Sequence, residues 1–202
     1  MVRPFCLALI ALPLLLVVGC GGGGSETVKF DAPNLSDLSF SYPRGWQSED
    51  GWVGSMGQEA IVFLSTERLH PACKIFHHAN GQVTGSRCGP DQVLSRSLPP
   101  GGVLVAWTGH FLPSGGFSEL PGKPSRIGDH PAKILLQRGS SDECWTSQAD
   151  ETLTAYIASS SAPLTGWYQM DACMRIPRLA QAKTQVEAML RSVSFKEASS
   201  PS

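Results

Sequence analysis

Apolar and polar residues alternate over much of the chain and predict strands. Leu38, Phe40 and Tyr42 alternate with Ser39 and Ser41, and Pro43 to Gly45 then turns the chain into Trp46. A period of two is the mark of a half-buried strand. Ala60 to Ser65 and Val103 to Thr108 are short apolar runs bounded by turn residues, and they read as two more strands. Arg126 and Ile127, a turn through Gly128, Asp129, His130 and Pro131, and a return over Ala132 to Gln137 read as a hairpin. Thr152 to Ala158 and Trp167 to Ile176 follow as longer strands joined through Ser159 to Pro163. In the last strand Tyr168, Met170, Ala172, Met174 and Ile176 share one apolar face, and Trp167, Asp171, Cys173 and Arg175 share the other.

Helical spacing occurs mainly at the end of the chain. Leu179, Ala182, Val186, Met189, Leu190 and Val193 recur at helical spacing after Pro177, a residue tolerated where a helix begins. They predict one amphipathic helix that closes the domain, with Ser194 and Phe195 as a final extended segment. Asp91 to Ser97 reads as a short helix stopped by Pro99, Pro100, Gly101 and Gly102, and Pro113 to Pro124 reads as a surface loop.

The first residues depart from this pattern. Arg3 precedes an apolar run from Phe5 to Val18, which ends in Gly19 and Cys20. Charge, apolar stretch and small residues in that order are the parts of an export signal. The run is shorter than the roughly 20 residues a membrane-spanning helix needs, and Pro4 and Pro13 interrupt it. The small residue before Cys20 resembles the lipobox of bacterial lipoproteins. That resemblance implies a diacylglyceryl group on the Cys20 thiol and cleavage that makes Cys20 the mature N-terminus. Two acyl chains, at about 0.8 kcal/mol per buried methylene, hold a protein on a membrane far better than one. Gly21 to Gly24 and Ser25 then form a flexible tether, which lets the domain float about 15 to 20 Å from its anchor. The expected organisation is a signal peptide over 1–19, lipidated cysteine and tether over 20–31, one globular domain over 32–197 and a flexible tail over 198–202.

Composition narrows the partners. The formal net charge is -1 and becomes -2 once Arg3 leaves with the signal peptide. There is no basic block suited to nucleic acid. Partners are expected to be the membrane, through the N-terminal lipid, and a protein of the cell envelope. With Cys6 in the leader and Cys20 assigned to lipid, Cys73, Cys88, Cys144 and Cys173 remain. An even set in an oxidising compartment implies two disulfides, each worth about 3 kcal/mol in the chain-entropy account. Three pairings are open; locality favours Cys73 with Cys88 and Cys144 with Cys173.

Phe40, Ser41, Tyr42, Pro43, Gly45 and Trp46 near the start, with Met189, Leu190, Ser192, Val193 and Phe195 after the closing helix, look like the PsbP-like or Mog fold. The middle, with the strand from Gly101 to Trp107 and four cysteines, is similar to uncharacterised bacterial lipoproteins. The resemblance implies an α+β fold, an antiparallel β-sheet flanked by helices in an αβα sandwich. It carries no catalytic residue, and it implies a binding or assembly role.

The chemistry-bearing residues do not add up to a known motif. His70, Cys73, His77 and His78 gather three imidazoles and a thiol, at a spacing that matches no standard zinc pattern. Gly54, Ser55, Met56 and Gly57 lack the nucleophile elbow of a serine hydrolase, although His110 and His130 are potential bases and Asp129, Asp150 and Asp171 potential orienters. The acidic pairs Glu49 with Asp50 and Asp142 with Glu143 read as solvated turns. No cofactor and no metal are expected. Of Trp46, Trp52, Trp107, Trp145 and Trp167, most should pack in the core, and Trp52, between Gly51 and Gly54, is the candidate binding surface. The sequence thus predicts a lipid-anchored, non-catalytic binding or assembly module. A hydrolase with an unrecognised site and a carrier of a small apolar ligand are the alternatives.

Overall fold

The computed structural model describes residues 26–32, 37–53, 58–88, 90–94, 97–111, 116–141, 144, 147–158 and 166–196. The residues expected as signal peptide (1–19), Cys20, the glycine run to Ser25, Gly54 to Gly57, the pair Asp142 and Glu143, Trp145 and the residues expected as the tail (198–202) lie outside them.

A seven-stranded antiparallel sheet forms the centre, in the order β3-β4-β7-β11-β10-β9-β8. Its strands are β3 (Gln47–Val53), β4 (Gln58–Ser65), β7 (Val103–His110), β8 (Lys123–Ile127), β9 (His130–Arg138), β10 (Glu151–Ala158) and β11 (Trp167–Met174). A three-stranded sheet of β1 (Thr27–Asp31), β2 (Leu38–Pro43) and β12 (Ser194–Phe195) forms a second unit, and β5 (Cys73–His77) pairs with β6 (Val83–Cys88) as a third. The helices are α1 (Pro90–Val93), a single turn, and α2 (Leu179–Arg191).

The front of the large sheet carries the main core. Phe40 of β2 stacks on Trp107 of β7 with ring centroids 4.9 Å apart, and Tyr168, Met170, Ala172 and Met174 of β11 join them. Ala182, Val186, Met189 and Leu190 of α2 bury themselves in the same cluster. Apolar burial of this kind is worth about 25 cal/mol per Å² and is the main force holding the layers together. The back carries a second core of Phe63, Leu104, Cys173, Val93, Leu94 and Leu98, with Cys144 packed among them.

The αβα sandwich expected from the PsbP-like resemblance does not form. The domain is mostly β, and α2 lies on one face only, beside a second sheet. The back is covered by a strand-and-loop excursion between β4 and β7, whose one helical turn is too short to make a layer. The closing helix is present as expected, whereas the helix expected over Asp91 to Ser97 is reduced to α1.

Three further differences come from packing that local pattern underweights. The tether ends earlier than residue 31, because Val28 and Phe30 alternate with polar neighbours and Phe30 lies on Phe40, centroids 5.0 Å apart. The segment expected as a loop up to Pro124 contains a 3-10 turn at Phe117–Glu119 and the start of β8; Lys133 Nζ donates to the carbonyls of Ser118 and Leu120 at 2.6 Å and ties that turn to β9. A bulge in β4 inserts Ile61 relative to β7, so that Ala60 pairs with Thr108 and Val62 with Trp107, while the register with β3 runs unbroken through Asp50–Val62 and Trp52–Ala60. Gly51 stands opposite the extra residue, where a Cβ would lie 1.7 Å from the Ala60 carbonyl oxygen, so only glycine fits.

Met189→Ala, which empties a 1% exposed site under α2, is expected to cost about 2–5 kcal/mol of unfolding free energy. Glu187→Ala, on the outer face of the same helix, should change it by no more than about 0.5 kcal/mol. Urea unfolding with the disulfides intact measures both, and equal effects would contradict the packing described.

Candidate functional site

The excursion from Thr66 to Gly102 begins and ends at one point. Thr66 N donates to the Val103 carbonyl at 3.1 Å, Val103 N to Thr66 Oγ1 at 3.0 Å, and Ser65 Oγ to the Val103 carbonyl at 2.7 Å. These bonds make a closed neck. Further out, His70 N donates to the Val93 carbonyl at 2.9 Å, and Cys73 is joined to Cys88. Cys73 and Cys88 are directly opposite in the β5–β6 pairing, their Cα atoms 4.0 Å apart. The two legs of the excursion are therefore zipped at three levels.

Between the legs lies a cleft of about 340 Å³, lined by Glu67, Arg68 and His70 on one side and Leu94, Ser97, Leu98 and Pro99 on the other. Leu94 and Leu98 are buried and give it an apolar floor. Leu98 is held by both its backbone groups: its N donates to the Ser147 carbonyl at 3.1 Å, and its carbonyl accepts from Arg175 Nη1 at 2.7 Å. Ser147 itself is fixed by its hydroxyl, which donates to the Cys144 carbonyl, and Cys144 is joined to Cys173 in β11. The second disulfide thus anchors the cleft floor to the central sheet. Among the described residues, the side chains of Glu67, Arg68 and His70 make no hydrogen bond or ion pair.

A second polar cluster lies on the back of the sheet. Asp171, 3% exposed, accepts from Thr154 Oγ1 at 2.6 Å and from Gln169 Nε2 at 2.7 Å. Gln169 also bonds the side chain of His110, whose ring stacks on Trp167 with centroids 5.3 Å apart. Burial pushes the His110 imidazole below its ordinary value, and the Gln169 bond opposes the shift. Asp171 is satisfied by Thr154 and Gln169, whereas Trp167 Nε1 is buried with no hydrogen-bond partner among the described residues. Chain position could have suggested them, since Trp167, Gln169 and Asp171 alternate along one strand.

The residues singled out from the sequence are dispersed. Trp46, Trp107 and Trp167 are buried, and Trp52 is half-buried with its ring stacked on Phe63, centroids 5.8 Å apart. Cys73 is oxidised and so supplies no thiolate beside His70, and His78 is exposed on the hairpin turn. Among the described residues no three His, Cys, Asp or Glu side chains converge on a metal-sized site. His130 Nδ1 lies 3.2 Å from the Ala158 carbonyl, and its ring packs on Phe195, far in function from Asp129, whose carbonyl accepts from Arg126. Asp150 pairs with Arg175 at 3.4 Å. Sequence reasoning missed the cleft because its walls are brought together by the neck and disulfide, not by a local motif.

No family model and no curated protein matches the chain. A crystal structure of a protein from Bacteroides thetaiotaomicron VPI-5482 is similar over 84% of this chain, with 9% identity and a TM-score of 0.39. The match covers 48% of that protein, so the chain spans about half of its length.

Cys73 and Cys88 are partly exposed, whereas Cys144 and Cys173 are 0% and 1% exposed. Thiol–disulfide exchange needs access of the attacking thiolate. Mild reduction under native conditions should therefore let iodoacetamide label Cys73 and Cys88 before Cys144 and Cys173, as read by peptide mass spectrometry; the reverse order would contradict the placement.

His110 sets an acid limb of stability. The unfolded chain takes up its proton first as pH falls, so this contribution is complete above about pH 6.5 and shrinks below it. Glu59, raised by burial from its ordinary 4.5, acts oppositely: its contribution is present below that value and is lost as pH rises through the raised one. Comparison of His110→Gln with the parent isolates the first effect and should flatten the loss below about pH 6.5. An NMR titration placing His110 at or above its ordinary value would overturn it.

Proposed function

We propose that the protein is an exported, lipid-anchored, non-catalytic binding module of the cell envelope, and that the cleft between the legs of the excursion is its recognition site. The cleft carries this reading: an acid, a guanidinium and an imidazole without partners among the described residues stand over an apolar floor. Ligand sites have this character, mostly apolar with a few placed polar groups. The four cysteines serve structure as two disulfides, and Asp171 does so as acceptor for Thr154 and Gln169. Two disulfides suit an oxidising compartment outside the cytoplasm. No helix among the described residues is long and apolar enough to cross a membrane. The lipid anchor rests on the leader and on Cys20, which follows Gly19.

Two measurements test the reading. Labelled palmitate should enter the protein in bacterial cells, and Cys20→Ala should lose both label and membrane retention; an unlabelled parent would remove the anchor. A photo-crosslinking residue at Ser97 should capture a bound species in those cells, and one at exposed Lys29 should not. Equal capture at the two positions would remove the cleft as the recognition site.

A further inference from the structure

We propose that the cleft takes a small zwitterion with an apolar side chain, a free apolar amino acid or a short apolar peptide; this rests on the cleft being the recognition site. The rim places an acid and a base side by side in the chain, Glu67 and Arg68, and among the described residues they pair neither with each other nor with another group. A monoanion would meet Arg68 but also the Glu67 carboxylate, and a monocation would meet the reverse. A neutral apolar ligand would strip water from both charges with no return. An ammonium and a carboxylate on one small molecule satisfy both.

The remaining lining fits the same ligand. His70 and Ser97 add hydrogen-bonding groups beside the charged pair, and Leu94, Leu98 and Pro99 form an apolar surface for a side chain. A volume of about 340 Å³ lies at the small end of ligand sites, which suits one or two residues better than a long peptide. The walls are held before the ligand arrives, by the His70 to Val93 bond and the Cys73–Cys88 disulfide on one side and by the Ser147 and Arg175 bonds to Leu98 on the other. A preformed site loses less entropy on binding.

Calorimetry on the full oxidised chain in detergent tests this with four probes: leucine, leucyl-leucine, N-acetyl-leucine and leucinamide. Leucine or leucyl-leucine should bind saturably, and the tighter of the two identifies the source. N-acetyl-leucine, which lacks the ammonium, and leucinamide, which lacks the carboxylate, should bind at least about 10-fold more weakly than leucine. Arg68→Gln should abolish the preference for leucine over leucinamide, and Glu67→Gln the preference over N-acetyl-leucine. Both variants should keep the parent melting temperature, since neither side chain has a partner to lose. Equal affinity for all four probes, or no saturable heat from leucine and leucyl-leucine up to about 10 mM, overturns the proposal. If that failure comes with selective capture at Ser97, the ligand class alone falls; if capture is lost too, the binding reading falls with it.

Discussion

The alternation of β11 is the constraint on which the rest of the molecule depends. It lies in the middle of the large sheet, between β7 and β10, and sends successive side chains to opposite faces. Met170 and Met174 enter the front core under α2 and β2, and Cys173 enters the back core. A slip of one residue would put the Cys173 sulfur and the Asp171 carboxylate into the front core and two methionines among the polar groups of the back. The two cores therefore fix one register jointly. Asp171 reinforces it, because only this register brings the carboxylate opposite Thr154.

Given that sheet, the back face needs a cover, and the chain supplies one without a helix. An excursion of this length leaves and re-enters at Ser65, Thr66 and Val103, and successive cross-links shorten the loop that remains open. Loop-closure entropy grows only slowly with length, so a large excursion is tolerated once its neck is fixed. An isolated two-stranded hairpin such as β5–β6 is marginal in water, which is why the Cys73–Cys88 bond matters at its base. A cover made of two stapled legs leaves a gap between them, and that gap is the cleft.

Much of the sheet was legible in the sequence. Alternation placed β2, short apolar runs bounded by turn residues placed β4 and β7, a hairpin reading placed β9, β10 and β11 were read as longer strands, and the faces assigned to β11 separate Met170 from Cys173 as the two cores do. Local spacing also favoured the disulfide pairing that the structure shows. What stayed hidden depended on partners distant in sequence. β3 reads as a polar turn, with Glu49, Asp50 and Gly51, and becomes a strand only because β4 offers an edge. β1 is exposed on alternate residues and is fixed by Phe40. Two end signatures suggested a sandwich with helical layers, yet a tight turn, a packed tryptophan and a closing helix are compatible with several ways of covering a sheet. The back cover is what separates them, and its composition carries no periodic signal.

The same distinction sorts the polar groups. A perturbed acidity is a common pointer to a functional site, but internal networks perturb acidity too. Burial beside Trp167 lowers the His110 imidazole, the bond to Gln169 opposes that shift, and Gln169 is itself bonded to Asp171. Such a network helps to make a core specific, although Trp167 Nε1 is buried in it with no hydrogen-bond partner among the described residues. Glu67, Arg68 and His70 are in the opposite condition: they line a concavity, and their side chains make no hydrogen bond or ion pair among the described residues. A ligand replaces water more easily than it displaces a buried hydrogen bond, because an unmade buried bond leaves its partner unsatisfied at a cost of about 1–3 kcal/mol. This contrast is what supports the cleft, and not the His110 cluster, as the proposed recognition site.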